Sequence, residues 1–215
     1  MEILLNEILN KYLEKYLHKG KRMNKETLME QIERFVPFNY QEEKDKEIIR
    51  MFINDFDNIY KRENDYAHIT ASCWVVNKDR TKVLMCYHKI YDSWSWTGGH
   101  ADGDEDLIRV ASKELEEETG LKNYKLVCDE FIGLENLTVD GHIKRGKYVS
   151  SHLHLNFTYL FEADEDEKLI KKEDENEGLK WIPVCDIDKE ISPHEKWILE
   201  NVYHKYIDKI KNMKG

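Results

Sequence analysis

The stretch Gly98-Gly99-His100-Ala101-Asp102-Gly103-Asp104-Glu105, leading into Lys113-Glu114-Leu115-Glu116-Glu117-Glu118-Thr119-Gly120-Leu121, constrains this chain more than any other. A glycine-rich acidic turn opens a helix here. Asp104 reads as its N-cap, and Glu105 and Asp106 suit the positive helix end. Gly120 suits the C-terminal cap. Leu107, Ala111, Glu114 and Glu118 then follow one helical ridge, with Ile108 and Leu115 beside it. Arg109, Ser112, Lys113 and Glu116 fall towards the opposite face. The helix must bury its apolar stripe, so its glutamates come to border a core.

Glutamate clusters mostly form solvated surfaces. Here Glu114 and Glu118 continue the ridge begun by Leu107 and Ala111, with Glu117 alongside. Like charges one turn apart repel, and partial desolvation makes their ionised forms costlier still. A hard cation removes that penalty, because magnesium takes oxygen ligands from carboxylates, carbonyls and water. A metal site set against a phosphate is the preferred reading.

These residues resemble a known pattern. Gly99, Glu105 and then Lys113-Glu114-Leu115-x-Glu117-Glu118-x-Gly120-Leu121 are similar to the Nudix box of the Nudix hydrolases. The box covers residues 99 to 121, and flanking strands extend the resemblance over about 66 to 190. The family usually has arginine where this chain has Lys113, which keeps the charge and loses the planar two-pronged fork.

The resemblance implies hydrolysis of a nucleoside diphosphate linked to another group: an ADP-ribose-like compound, a nucleotide sugar or a modified nucleotide. It implies Mg2+, with Mn2+ as the substitute. Glu117 and Glu118 would be ligands together with the carbonyl of Gly99. Glu114 would be a further ligand or the base that activates water, and Glu105 an outer partner of Lys113. Such enzymes often draw one more carboxylate from outside the box. Glu175 and Glu177 are the candidates, with Glu162 as the alternative. An isomerase of the same fold, which needs an active-site cysteine with a partner glutamate, is one competing function. A non-catalytic nucleotide-sensing module is the other, and it fits less well because Glu114, Glu117 and Glu118 are all present.

Elsewhere the periodicity changes along the chain. Residues 1–65 read as a helical N-terminal segment. Leu5 to Tyr16 recur at helical spacing up to a stop at Gly20, Asn24 caps a second helix through Phe35, and a third runs from Gln41 to Tyr60. Ile48, Ile49, Phe52, Ile53 and Phe56 form the apolar side of the third helix, for packing or for a homodimer contact. Residues 66–215 read as an α/β layered domain, and the resemblance implies that it is the Nudix domain, an α/β/α sandwich around a mixed sheet. Its strands are expected at Ile69–Val76 and Lys82–His88 around the turn Asn77–Arg80, then at Leu126–Gly133, Leu153–Glu162 and Leu179–Val184. Ser192-Pro193-His194-Glu195 reads as a capping box opening a last helix to Asn212.

Trp94 and Trp96, two apart before the glycine turn, would share a strand face and could stack on a base or ribose. His88 and Lys89 could meet a phosphate, and His100 could touch a terminal phosphate or bond the turn. His152 and His154 share a strand face at a spacing that suits zinc. With no third ligand evident nearby, they read as substrate-facing or structural.

A net charge of −10 argues against a sequence-independent grip on nucleic acid, so the expected partner is a small nucleotide diphosphate. The four cysteines are scattered without a Cys-x-x-Cys pair and read as reduced thiols of a cytoplasmic protein. No apolar run reaches the ~20 residues needed to span a membrane.

Overall fold

The computed structural model describes residues 24–88, 92–144, 146–171 and 176–213. The helix expected at Leu5–Tyr16, with Lys89 and Glu175, lies outside them. Two helices come first, α1 (Lys25–Arg34) and α2 (Tyr40–Asp55). Asn24 caps α1 by accepting from Thr27 N, and Asn39 caps α2 by accepting from Glu42 N. The third expected helix therefore stops at Asp55 and not at Tyr60. The following residues instead clip onto the sheet and the glycine turn, with Ile69 N donating to Ile59 O and Gly103 N to Tyr60 O. Leu28, Ile32, Ile49 and Ile53 are fully buried, whereas Ile48 stays exposed. Each such buried aliphatic contributes roughly 1.5–3 kcal/mol.

The sheet begins with β1 (Ala67–Val76), β2 (Lys82–His88), β3 (Ser93–Ser95) and β4 (Thr97–His100). Helix α3 (Leu107–Thr119) is the box helix, and β5 (Tyr124–Leu126) and β6 (Gly133–Val139) follow. A small hairpin, β7 (His142–Lys144) with β8 (Lys147–Val149), precedes β9 (His152–Ala163) and β10 (Asn176–Pro183). The order β10-β2-β1-β9-β5 forms the spine, with β3 on β2, β4 on β1 and β6 on β9. Strands β1 and β9 run parallel while their other pairings are antiparallel, so the sheet is mixed as expected.

Alternation along β1 separates two interiors. Ala67, Ile69, Ala71, Cys73 and Val75 join Leu107, Ala111 and Leu115 of α3 and the apolar stripes of α1 and α2 in one core. Trp74 and Val76 join Val202, Tyr203 and Tyr206 from the C-terminal helical segment in another.

The single strand expected at Leu126–Gly133 is two strands separated by a detour. Val127 N still donates to Leu160 O and Ile132 N to Thr158 O, but the acidic pair Asp129-Glu130 leaves the sheet between them. Phe131 then turns inward, 5.1 Å from both Phe35 and Phe157. A short helix α4 (Ile187–Glu190) precedes the last segment, which is helical from Pro193 to Asn212. It runs as a 3₁₀ turn, a short α5 (Lys196–Ile198), a π turn (Leu199–Tyr203) and α6 (His204–Asn212). The capping box at Ser192 is not made. The Ser192 hydroxyl bonds Asp92 O instead, tying the helix start to the β3 edge. No helix of the described residues is long and apolar enough to cross a membrane.

Candidate active site

Helix α3 starts two residues later than its sequence suggests. Asp106 is the N-cap, accepting from Arg109 N at 3.1 Å. Asp104 instead closes a small turn by accepting from Asp106 N at 2.9 Å, and it takes the Arg109 guanidinium at 2.8 Å. Before it, Asp102 and Gly103 both adopt left-handed backbone, with φ of 49° and 89°. Arg62 holds Asp102 through two bonds of 2.6 and 2.7 Å, which keeps that carboxyl below its usual range. Gly120 ends the helix at φ 73° as expected, a conformation glycine adopts without penalty.

The structure brings Gly99, Glu114 and Glu118 together. Strand β4 places Gly99 opposite Ala71 of β1, on the face that carries α3. A side-chain carbon at Gly99 would sit 2.6 Å from Glu114 Oε1, so the absence of a side chain is what lets the carboxylate reach this backbone. One turn on, Glu118 is only 9% exposed and lies 3.5 Å from the Cys86 thiol. Burial first, then the Glu118 charge, pushes that thiol well above its ordinary range. The sequence shows no cysteine near the box; the fold supplies two, Cys86 from β2 and Cys73 from β1, whose thiol donates to Ala111 O at 3.0 Å and is likewise raised by burial.

Glu117 is exposed and pairs with Lys113 at 3.6 Å. Lys113 therefore turns to its neighbour one helical turn away. Glu105 lies at the helix start, where its charge adds to the burial that raises the Tyr60 hydroxyl. The donor set suits a hard cation: the Gly99 backbone with the Glu114 carboxylate packed against it, a second carboxylate mostly withdrawn from water, and a third at the rim, all oxygen donors.

The other expected site residues are distributed more widely. His88, two residues beyond Cys86, shares the α3 face of β2 by alternation. Trp94 lies opposite Tyr87 on the other face, with the two rings edge-on at 5.3 Å and the Lys180 ammonium 5.7 Å above the indole. Trp96 packs edge-on against Tyr203 at 5.0 Å in the second core. Glu177 is exposed at the bulge of β10 and raises the nearby Tyr87 hydroxyl, behind the larger effect of Asp92. Glu162 pairs across strands with Lys125 at 2.8 Å, far along β9 from the box.

His100 points away from Gly99 and Glu114, to the opposite face, where its Nε2 lies 3.2 Å from His154 Nε2. His68 joins them, its ring centre 5.0 Å from that of His100 and 4.9 Å from that of His154. The sequence offers His154 no third neighbour; strand register does. His68 faces His154 across β1 and β9, and His100 faces Thr70 across β4 and β1. Burial pushes the imidazoles of His100 and His154 down, to about 3 and about 2, with neighbouring positive groups adding to the shift. Burial lowers His68 as well.

Beyond the histidines, the same face carries a polar ladder. Thr70 and Ser72 donate to Asn156 Oδ1 at 3.0 and 2.7 Å, and Asn156 Nδ2 donates to Glu135 Oε2 at 2.9 Å. Glu135, Glu42, Lys205 and Lys209 then form a buried charge network, with Lys205 Nζ 2.7 Å from Glu135 and 3.1 Å from Glu42. Tyr206 closes it through a hydrogen bond to Glu135. Sequence periodicity does not reveal this network, because it joins α2, β6 and α6.

Residues 67–202 match the profile of the NUDIX domain. An RNA pyrophosphohydrolase of Pelagibacter ubique is 31% identical over 140 residues, spanning 61% of this chain and 85% of that protein. Among solved structures, a NUDIX-family hydrolase from Clostridium perfringens superposes with a TM-score of 0.47 at 23% identity, over 66% of this chain and 97% of its own. The MutT protein of Methanosarcina mazei gives 0.48 at 15% identity, over 70% and 99%. With its glycine turn, its glutamate-bearing helix and a profile match over most of its length, this chain belongs to the Nudix hydrolase family.

Proposed function

We propose that the protein hydrolyses the diphosphate linkage of a nucleoside diphosphate joined to another group, using Mg2+ or Mn2+. The observation that carries this reading is the contact between the Glu114 carboxylate and the bare backbone of Gly99, with Glu118 withdrawn from water one turn away. The carbonyl of Gly99 with Glu117 and Glu118 would hold the ion. When bound, such an ion neutralises charge on the diphosphate and lowers the pKa of water.

The remaining work falls to the chain's own residues. Glu114, backed against Gly99, is the proposed base that takes the proton of the attacking water. The water oxygen bonds to one phosphorus as the bridging P–O bond breaks, and a nucleoside monophosphate leaves. Lys113 steadies Glu117 at the rim through their ion pair. Glu105 and Glu177 are the proposed outer carboxylates. His88 would meet phosphate on the α3 face, while Trp94, Trp96 and His100 would contact only a substrate that reaches over the β3–β4 edge.

An isomerase of this fold would need a reactive thiol. Cys86 stands beside Glu118, but it is buried, as is Cys73, so neither thiol is open to a substrate, which favours hydrolysis. A second substrate reading is a phosphorylated RNA 5′ end, which carries the same anhydride. It is favoured by the name of the Pelagibacter relative. The net charge of −10 then limits recognition to the end of the RNA.

The test is a panel of ADP-ribose, nucleotide sugars, nucleoside triphosphates and 5′-triphosphorylated RNA, with Mg2+ or Mn2+ and products identified by mass. Metal-dependent release of a monophosphate or diphosphate product is expected for one class. Unchanged turnover in Glu118→Gln would overturn the assignment.

A further inference from the structure

We propose that His68, His100 and His154 form a second metal site, for a borderline transition-metal ion with zinc foremost, on the face of the sheet opposite the box carboxylates. Three strands build it. The candidate ligand atoms of these residues all lie within 4.8 Å of one another. A tetrahedral zinc with Zn–N bonds of about 2.0–2.1 Å separates its ligand nitrogens by roughly 3.3 Å. The Nε2 atoms of His100 and His154 already stand 3.2 Å apart.

The alternative is a histidine pair sharing one proton, with His68 merely packed beside it. His68 itself argues against that. It is 4% exposed, and its Nε2 is buried without a hydrogen-bond partner. Its Nδ1 lies 3.3 Å from Asn64 O, so the ring proton belongs there and the buried Nε2 lone pair is left without a donor. A backbone carbonyl on the far nitrogen is how metal-ligating histidines are commonly oriented. Asn64 is itself held, accepting from Tyr66 N and Ala67 N at 3.1 and 3.2 Å.

The donor chemistry sorts the two sites. Imidazole nitrogen selects zinc and its transition-metal neighbours, whereas the oxygen donors around Gly99 select magnesium or manganese. Three protein ligands leave one coordination position open, the pattern of zinc sites that keep an exchangeable ligand. His152 packs against the cluster, its ring 4.8 Å from His68 and 5.2 Å from His154. Its Nδ1 lies 2.8 Å from Ser150 O, which also leaves Nε2 bare.

The experiment uses the untagged full chain, titrated with Zn2+ against a competing chromophoric chelator in excess Mg2+. One tightly bound zinc per chain is expected, weakened at least ~100-fold in His154→Gln and in His100→Gln and unchanged in Glu118→Gln. Cobalt replacing zinc should give the intense visible absorption of four-coordinate Co2+, a reading that needs no variant and so survives any variant that fails to fold. Absence of competitive zinc binding, a six-coordinate cobalt spectrum, or zinc lost in Glu118→Gln and kept in the histidine variants would each overturn the proposal. None of these outcomes depends on whether a nucleotide is hydrolysed.

Discussion

The two faces of β1 bury carboxylates for opposite ends. On the α3 face, Glu118 is withdrawn from water beside a thiol, and Glu114 rests on a glycine backbone. On the other face, Glu135 is fully buried among an ammonium, a phenol, an amide and a hydroxyl. Glu42 beside it takes both Lys205 and Lys209. The second arrangement balances two negative charges with two positive ones and uses the carboxylate lone pairs on the protein's own donors. Burial of a glutamate therefore says little by itself about ligand binding. Around Glu42 and Glu135 the packed ammonium groups make each carboxylate a strut.

The sharpest way to break this contrast is Lys205→Met. Removing one cation leaves Glu42 and Glu135 under-compensated, and a loss of about 3–5 kcal/mol in urea unfolding is expected. A loss below ~1 kcal/mol would mean that the network does not hold α2 and α6 to β6. Next comes Glu118→Gln, which should lower metal-dependent turnover by on the order of 100-fold, close to 2.7 kcal/mol of barrier, while leaving urea stability nearly unchanged. If that variant instead unfolds like Lys205→Met, the two faces are not different in kind.

Gly133→Ala probes the structural face more gently. A methyl there would meet the Tyr206 ring at 2.5 Å, so an overpacking cost of ~1–3 kcal/mol is expected, read as a lower melting temperature with turnover retained. The smallest effect should come from Lys113→Arg. Its pair with Glu117 is 3.6 Å long and largely exposed, worth about 0–1 kcal/mol, so a change in kcat of no more than a few-fold is expected. A large gain in that variant would show that the forked guanidinium matters more than this geometry implies.

Much of the α3 face was legible along the chain, and for a physical reason. Helical neighbours are three or four residues apart, so Leu107, Ala111, Glu114 and Glu118 declare their shared ridge locally. The N-cap was misplaced by two residues because Asp104 and Asp106 are both good caps, and only the bond from Asp106 N to Asp104 separates their roles. The 126–133 stretch reads as one strand, yet the acidic pair Asp129-Glu130 leaves the sheet and Phe131 packs between Phe35 of a distant helix and Phe157 of β9. The hairpin of β7 and β8 has no apolar alternation to announce it.

The sequence by itself determined the box helix, its glycine turn and the Asn24 cap of α1, since each depends on residues within a turn or two of one another. The tertiary structure alone decided what the other face became. His68, His100 and His154 meet only because β1 pairs with β4 and β9 in one register, and a slip of one residue would turn each side chain to the opposite face. Glu42, Glu135 and Lys205 likewise become a network only where α2, β6 and α6 pack together. Local spacing carries no information about either meeting, because both are set by the packing of strands and helices far apart in the chain.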